Sequence, residues 1–237
     1  MSPVDTLSRS SQDYVKAIYN LTREGEPTNT VALAEILEVK PASVTNMLQK
    51  LDESEPRLVN YQKHHGVSLT KEGERAALQL IRRHRLIEQF LHQVLGYSWD
   101  KVHPEAEVLE HAISPYFEEK VAEYLGDPQF DPHGDPIPSQ SLSMAKEGPL
   151  ALLSELEPGE QAVVHRVRDQ SSDLLLYLGE IGLLPGRQVR VLQRNPFDGA
   201  MQVAIEEKTE HPILSRMTSQ QVLVEMQHKN MDDNGEN

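Results

Sequence analysis

Two short helical segments separated by a tight turn constrain the fold of the first third of the chain. Residues 30–38 place apolar side chains at helical spacing, and one of residues 28–30 caps them. After the turn, Pro41 begins a second helix, where its missing N–H costs nothing because that position has no helical partner. Two β-prone stretches around a turn at His65-Gly66 follow. This order predicts a winged helix-turn-helix.

Further helices precede and follow this motif. Each is indicated by an apolar stripe at helical spacing and by capping or proline residues at its start. They are predicted over 8–24, from Thr70 to about Leu95, from Pro104 to about His111, and from Ser114 onward. The apolar stripe of the last helix could pair with a copy of itself. His103, which precedes a proline, is expected to be pushed away from helical geometry.

The pattern changes after residue 126. Residues 126–150 are rich in Pro, Gly, Asp and Ser, which indicates a linker. Beyond it, AVVHRVR, RQVRVLQR and MQVAIEEK are typical of strands, with a short helix at about 173–180. The predicted fold is a mainly α N-terminal part with a small SH3-like β domain at the C-terminus. The predicted domains are a DNA-binding domain over 1–75, a helical metal-binding and dimerisation domain over 76–140, a linker over 141–153, the SH3-like domain over 154–228 and a disordered tail over 229–237.

Composition limits the kinds of site that the chain can form. It has no cysteine, so disulfides, zinc–thiolate sites and iron–sulfur clusters are excluded, and any metal must be held by oxygen and imidazole nitrogen. Its net charge is −14, which argues against non-specific affinity for nucleic acid. Residues 1–75 have 9 basic and 11 acidic side chains, a net of −2, whereas residues 76–140 have 5 and 11, a net of −6. No apolar run could span a bilayer and no signal peptide is evident, so we expect a cytoplasmic protein without a membrane partner.

A group of carboxylates and histidines indicates a metal site. Glu107, Glu110 and His111 are spaced i, i+3 and i+4, which on a helix puts three ligands for a divalent metal on one face. His84 and Glu88 have i, i+4 spacing on another predicted helix. Each group could equally be a solvated polar helix face, since acidic residues are common in the first turns of helices.

The second helix of the predicted helix-turn-helix would place its N-terminal half in the major groove of DNA. Four of its residues are expected to face base edges, namely Ala42, Ser43, Thr45 and Asn46. Residues expected to hold phosphates, on this helix or on the wing, are Lys40, Lys50, Lys63 and His64. The other interpretation is a helical hairpin in a protein-interaction domain, but the wing that follows favours DNA.

Several segments resemble the diphtheria-toxin-repressor family of metal-dependent regulators, which includes iron-dependent repressors and manganese transport regulators. They are VKPASVTNMLQKLD, RRHRLIEQFL and KVHPEAEVLEH. The segment LGEIGLLPGRQVRV also resembles the family's C-terminal SH3-like domain, which is akin to a ferrous-transport accessory fold. The resemblance covers residues 8–140 best. It implies a homodimer that binds double-stranded operator DNA and has two metal positions per subunit.

Carried over by position, the resemblance implies two sets of metal ligands. The primary site would comprise Asp13, Glu107, Glu110 and His111. The ancillary site would comprise His84, Glu88, His103, Gln170 and Asp173, the last two from an SH3-like domain that packs on the metal-binding domain of its own chain. Oxygen ligands at Asp13 and Glu107 resemble the manganese branch of the family. That branch has a carboxylate where this chain has Lys16, which does not fit a binuclear manganese arrangement.

These features predict a Mn²⁺- or Fe²⁺-dependent transcription regulator of metal-uptake genes, not an enzyme. An ion shared between Asp13 and the ligands near residue 110 would fix the angle between the DNA-reading and dimerisation domains, and so the spacing of two recognition helices. One alternative is a metal-dependent hydrolase that uses the same carboxylates and histidine. Another is a metal-independent winged-helix regulator whose acidic cluster is only a solvated face.

Overall fold

The computed structural model describes residues 3–23, 25–63 and 65–226. Contacts divide the chain into two compact units, each of which contains segments from separate parts of the sequence. The first unit comprises the described residues up to Phe90, with Pro104–Gln129 and Ile137–Ala145; the second comprises Leu91–His103, Phe130–Pro136 and the described residues from Lys146 onward. The predicted disordered tail and His64 lie outside the described residues.

Three helices begin the first unit, and together with a hairpin they confirm the predicted helix-turn-helix. They are α1 (Arg9–Thr22), α2 (Thr30–Ile36) and α3 (Pro41–Asp52). The Asn29 side chain caps α2 by accepting hydrogen bonds from the N–H groups of Val31 and Ala32 at 2.9 and 3.0 Å. The apolar stripes of the three helices face one another around fully buried residues such as Ile18, Leu33 and Leu48.

The wing is an antiparallel hairpin of β1 (Val59–Gln62) and β2 (Gly66–Leu69), in which Val59 pairs with Leu69. Gly66 has φ = +99°, and a Cβ atom there would lie 2.7 Å from the Thr28 carbonyl oxygen. A side chain is therefore excluded by both the backbone conformation and the close approach of the segment before α2. We refer to α1, α2, α3 and this hairpin as the reading head.

Three more helices follow: α4 (Lys71–Gln93), α5 (Val102–Leu109) and α6 (Pro115–Tyr124). Thr70 caps α4 as predicted, because its hydroxyl accepts a hydrogen bond from the Gly73 N–H at 3.1 Å. The prediction for His103 is wrong, since α5 begins at Val102 and includes it. The proline that follows lies in the first helical turn, where the missing N–H breaks no helical hydrogen bond, so the helix can begin ahead of it.

The second unit contains a six-stranded sheet that confirms the predicted C-terminal β domain. Its strands, in chain order, are β3 (Leu150–Leu152), β4 (Gln161–Val167), β5 (Gln188–Arg194), β6 (Met201–Ile205), β7 (Ile213–Leu214) and β8 (Val222–Met226). The spatial order is β3-β8-β4-β5-β6-β7, and all pairs are antiparallel. Two helices, α7 (Ser172–Ile181) and α8 (Arg216–Ser219), accompany the sheet, and β3 lies within the linker predicted over 141–153. Within the part of the chain that the structure describes, no helix combines the length and apolar character needed to cross a membrane.

Candidate metal centre

Helix α1 of the reading head and the C-terminal end of α5 meet at a cluster of carboxylates and imidazoles. Asp13 and Lys16 lie one turn apart on α1, and Glu107 lies on α5. Glu110 and His111 follow the last residue of α5, but the Glu110 N–H still donates to the Ala106 carbonyl at 2.9 Å and so continues the helical pattern. The predicted i, i+3, i+4 face is therefore kept, although α5 begins and ends two residues earlier than predicted.

Glu110 is at the centre of this cluster and is fully buried. Its carboxylate oxygens accept hydrogen bonds from the Lys16 ammonium at 3.0 and 2.8 Å. The Nδ1 atom of His84 also pairs with this carboxylate, and Nε2 of His111 lies 3.5 Å from it. A buried carboxylate requires such compensation, because its desolvation is costly.

His111 is oriented by Gln12, a buried residue for which the sequence pattern gave no signal. The Gln12 amide donates from Nε2 to the carbonyls of Val4 and Leu7 at 2.9 and 3.1 Å, so its Oε1 faces His111. Oε1 lies 2.6 Å from His111 Nδ1, and because an amide oxygen can only accept, Nδ1 carries the hydrogen. With the hydrogen fixed at Nδ1, Nε2 is the ring nitrogen that can present a lone pair, which is the arrangement found in histidine metal ligands.

The Nε2 atom of His111 lies close to two carboxylates, those of Asp13 and Glu110. Nε2 of His111 is buried and makes no hydrogen bond within the described residues, although Asp13 Oδ1 lies 3.0 Å away. Burial raises the pKa of Asp13 above its usual value of 3.8. Ligand atoms of Asp13, Glu110 and His111 all lie within 4.8 Å of one another. Two carboxylates and an imidazole nitrogen at this spacing are ligand types that suit a divalent first-row ion, so these residues fit one.

The Lys16 ammonium, which pairs with Glu110, contacts two further members of the cluster. It donates to Glu107 Oε1 at 2.9 Å and lies 3.2 Å from His84 Nδ1. Burial disfavours the charged form, but the carboxylates of Glu110 and Glu107 outweigh that effect and raise the pKa of Lys16 above 10.5. Lys16 is therefore a permanent cation within the predicted primary site.

His84, on α4, contacts both Glu110 of this cluster and Glu88 one turn further along its own helix. It is buried, and its Nε2 lies 2.9 Å from Glu88 Oε1. Burial lowers the pKa of His84, but the Glu88 and Glu110 carboxylates outweigh burial and the Lys16 charge, and the pKa is raised from 6.5 to about 9. The protonated ring donates from both nitrogens, to Glu88 and Glu110, so Lys16 lies beside Nδ1 without donating to it.

The remaining residues predicted for the ancillary site belong to the second unit. His103 lies in the first turn of α5, and Asp173 in the first turn of α7. The side-chain amide of Gln170 donates to Asp135 Oδ2 at 2.9 Å. The grouping of His84, Glu88, His103, Gln170 and Asp173 at one metal stays a prediction.

The residues predicted to contact DNA lie on the surface of the reading head. Lys40, which precedes α3, and Lys63 in the hairpin turn are both exposed. Exposed residues on α3 are Ala42, Ser43, Asn46 and Lys50. Thr45 is half-buried, and its hydroxyl donates to the Pro41 carbonyl at 3.2 Å. The N-terminal half of α3 thus has the accessibility required of a recognition helix, and DNA contact by these residues stays a prediction.

Three family profiles match the chain. The profile for the N-terminal DNA-binding domain of iron-dependent repressors matches residues 6–67. The profile for the metal-binding and dimerisation domain of the same repressors matches residues 70–139. A FeoA domain profile matches residues 151–226.

Individual relatives agree with these profiles. The iron-dependent repressor IdeR of Mycobacterium leprae is 29% identical over 200 residues, which cover 79% of this chain and 86% of the relative. The HTH-type transcriptional regulator MntR of Bacillus subtilis (strain 168) is 39% identical over 105 residues, which cover 44% of this chain and 72% of the relative. Among solved structures, a manganese-dependent transcriptional repressor in complex with manganese is 38% identical, with a TM-score of 0.79, and the match covers 92% of this chain and 100% of that one.

Proposed function

Because the chain belongs to the diphtheria-toxin-repressor family of metal-dependent transcription regulators, we propose that it is a DNA-binding regulator of metal-uptake genes that responds to Mn²⁺ or Fe²⁺. The proteins that it resembles are named as iron-dependent repressors and manganese-dependent regulators. In this proposal the chain acts as a homodimer and binds operator DNA through α3 of each reading head.

One observation supports this function above the others. Asp13 belongs to the reading head, whereas Glu110 and His111 follow α5, and their ligand atoms lie within 4.8 Å of one another. We propose that these residues hold the regulatory ion. When bound, a divalent ion supplies the positive charge that the two carboxylates and the imidazole lone pair require. The ligand set then fixes the head against α5, and thereby the distance between the two recognition helices of a dimer.

The test is DNA binding by the full chain as a function of manganese. The probe is a duplex selected from a random-sequence library in the presence of Mn²⁺, and affinity is measured by fluorescence anisotropy at fixed ionic strength. We expect manganese to raise the affinity of the wild type by about a thousandfold, which corresponds to about 4 kcal/mol of coupling. Glu110→Gln should remove this gain.

A matched control is Glu105→Gln, which changes an exposed carboxylate on the same helix and should retain the gain. If Glu110→Gln keeps the full manganese response, this cluster is not the regulatory site. Equal affinity of the wild type in chelator and in manganese would support a metal-independent winged-helix regulator instead.

We propose no catalytic role for the cluster. A hydrolase would need a metal with an open coordination position and a general base in a substrate cleft. That alternative also leaves the helix-turn-helix and the hairpin of the reading head without a role. Hydrolysis of generic phosphodiester or peptide substrates by the manganese-loaded protein would contradict this assignment.

Dimerisation is proposed through the helical part of the first unit. Helix α6 exposes three aromatic side chains, Tyr116, Phe117 and Tyr124, with exposed fractions of 69%, 46% and 71%. Apolar surface of this kind is typical of interfaces between subunits. Sedimentation equilibrium should give the mass of a dimer for the wild type and a lower mean mass for Tyr116→Glu.

A further inference from the structure

The cluster contains two overlapping sets of three ligands that share Glu110. One set is Asp13, Glu110 and His111, and the other is His84, Glu107 and Glu110. Within each set, ligand atoms lie within 4.8 Å of one another. By geometry alone, the described residues therefore offer two neighbouring cation positions bridged by one buried carboxylate.

Lys16 fills one of these positions. Its Nζ atom lies 2.9 Å from Glu107, 2.8 Å from Glu110 and 3.2 Å from His84, which are all the members of the second set. The first set contains the buried His111 Nε2 atom, which makes no hydrogen bond within the described residues. The ammonium therefore occupies one position and leaves the lone pair of His111 directed at the other.

The charges agree with this division. The protonated His84 and Glu88 balance each other. Asp13, Glu107 and Glu110 contribute three further negative charges, and Lys16 neutralises one of them. The remaining two negative charges match a single divalent ion. A second divalent ion would need the space that the ammonium fills, and it would lie within a few ångströms of that charge, where repulsion is strong.

We propose that the Lys16 ammonium occupies the second metal position. The primary site of this chain then binds one divalent ion, through Asp13, Glu110 and His111, although its ligand geometry would otherwise accommodate two. Glu107 then serves Lys16 and is not a ligand of the ion. This inference rests on the proposed function, because it concerns the number of ions at the same site. It makes Lys16 a determinant of metal stoichiometry.

The experiment counts manganese ions in the full chain. Wild type, Lys16→Glu and Lys71→Glu are dialysed to equilibrium against buffered Mn²⁺, and bound manganese per chain is measured by mass spectrometry with inductively coupled plasma. Lys71 is exposed at the start of α4, so its substitution controls for the change in net charge. We expect Lys16→Glu to bind one ion more than the wild type, and Lys71→Glu to bind the same number.

Electron paramagnetic resonance locates the added ion. Two manganese ions that share a carboxylate lie about 4 Å apart and give a spin-coupled spectrum, which single ions do not. We expect this spectrum from Lys16→Glu and its loss in Lys16→Glu combined with Glu107→Gln. Lys16→Gln, which removes the charge without adding a ligand, should lower the Kd for the first ion by about tenfold or more, because a nearby repulsive charge is gone.

The outcomes separate the two proposals. A wild type that binds no manganese would overturn the proposed function and this inference with it. A wild type that binds manganese, together with a folded Lys16→Glu variant that gains neither an ion nor the coupled spectrum, overturns this inference alone. If Lys16→Glu does not fold, as judged by circular dichroism, an unchanged Kd in Lys16→Gln overturns it.

Discussion

Two ion clusters of the first unit both include residues of α4, but their chemistry differs. In one, Arg83 pairs with Asp5, just before the reading head, at 2.6 Å and with Glu118 on α6 at 2.9 Å. Arg82 pairs with Glu118 at 3.3 Å and lies 3.9 Å from the exposed carboxylate of Asp127, so the two guanidinium groups have a partner for each charge. The other cluster, around Glu110, has two cations, Lys16 and the protonated His84, among the four carboxylates of Asp13, Glu88, Glu107 and Glu110. In the Arg83 cluster every buried charge has a partner of opposite sign, and we call Asp5, Arg82, Arg83 and Glu118 the fixed clamp. The excess of negative charge around Glu110 makes that cluster responsive to metal instead.

The strongest test of the fixed clamp is Arg83→Met. We expect a loss of about 3–5 kcal/mol in the free energy of unfolding, because Asp5 and Glu118 each lose a buried partner. Urea denaturation should give the same loss in manganese and in chelator, since no metal ligand is changed.

The control for this change is Arg57→Met. Arg57 is half exposed and pairs with Asp52 at 2.6 Å, and such pairs contribute less than about 1 kcal/mol. If the loss in Arg83→Met depends strongly on manganese, the two clusters are coupled, and the Arg83 cluster is not independent of metal.

Next in size is the pH dependence of the metal-responsive cluster, measured without metal. The pKa of His84 is raised from 6.5 to about 9 in the folded chain. The protonated His84 therefore contributes about 3 kcal/mol to the free energy of unfolding. This contribution is fully present below pH 6.5 and is lost as pH rises through 9. Urea denaturation in chelator should show this decline in the wild type but not in His84→Asn.

His211→Asn changes an exposed histidine of the second unit and should leave the decline as it is in the wild type. A decline of equal slope in His84→Asn would show that His84 does not carry the buried charge. The pH dependence of the Glu110 cluster would then differ less from that of the Arg83 cluster than the raised pKa of His84 predicts.

A smaller effect separates the clusters by their response to metal. At manganese concentrations of about 100 times Kd, binding to the folded wild type should add about 2.7 kcal/mol to the free energy of unfolding. Asp13→Asn removes a ligand and should lose this gain. Asp5 belongs to the fixed clamp, so Asp5→Asn should lower the free energy of unfolding but keep the gain from manganese. If Asp5→Asn loses that gain and Asp13→Asn keeps it, the two clusters have been assigned the wrong way round.

The smallest expected effect lies beyond both clusters, on the reading head. Lys50→Ala should weaken DNA binding by about 1 kcal/mol and reduce the salt-dependence slope by about one, because one phosphate contact is removed. Fluorescence anisotropy at several salt concentrations measures both quantities. Lys101→Ala, an exposed lysine of the second unit, should change neither, and an unchanged slope in Lys50→Ala would remove Lys50 from the DNA interface.

Local features of the fold could be predicted because their causes are local. The stripe of α3 and the proline that begins it are contained in twelve consecutive residues. The ligand spacing near residue 110 is also local, since i, i+3 and i+4 residues share a face on any helix. The start of α5 was mispredicted because His103 can adopt either an extended or a helical backbone, and the sequence pattern does not decide between them.

The helix-turn-helix, the later change to strands and the absence of thiolate ligands follow from neighbouring residues and composition, and so can be predicted without any long-range contact. The contacts of Gln12 and Lys16 cannot, because they depend on how distant segments pack. Gln12 meets His111 across 99 positions of the chain, and Lys16 meets Glu110 across 94. Contacts at such separations depend on how α1 packs against α5, and packing is set by the apolar faces of these helices together, not by the polar residues that they bring into contact.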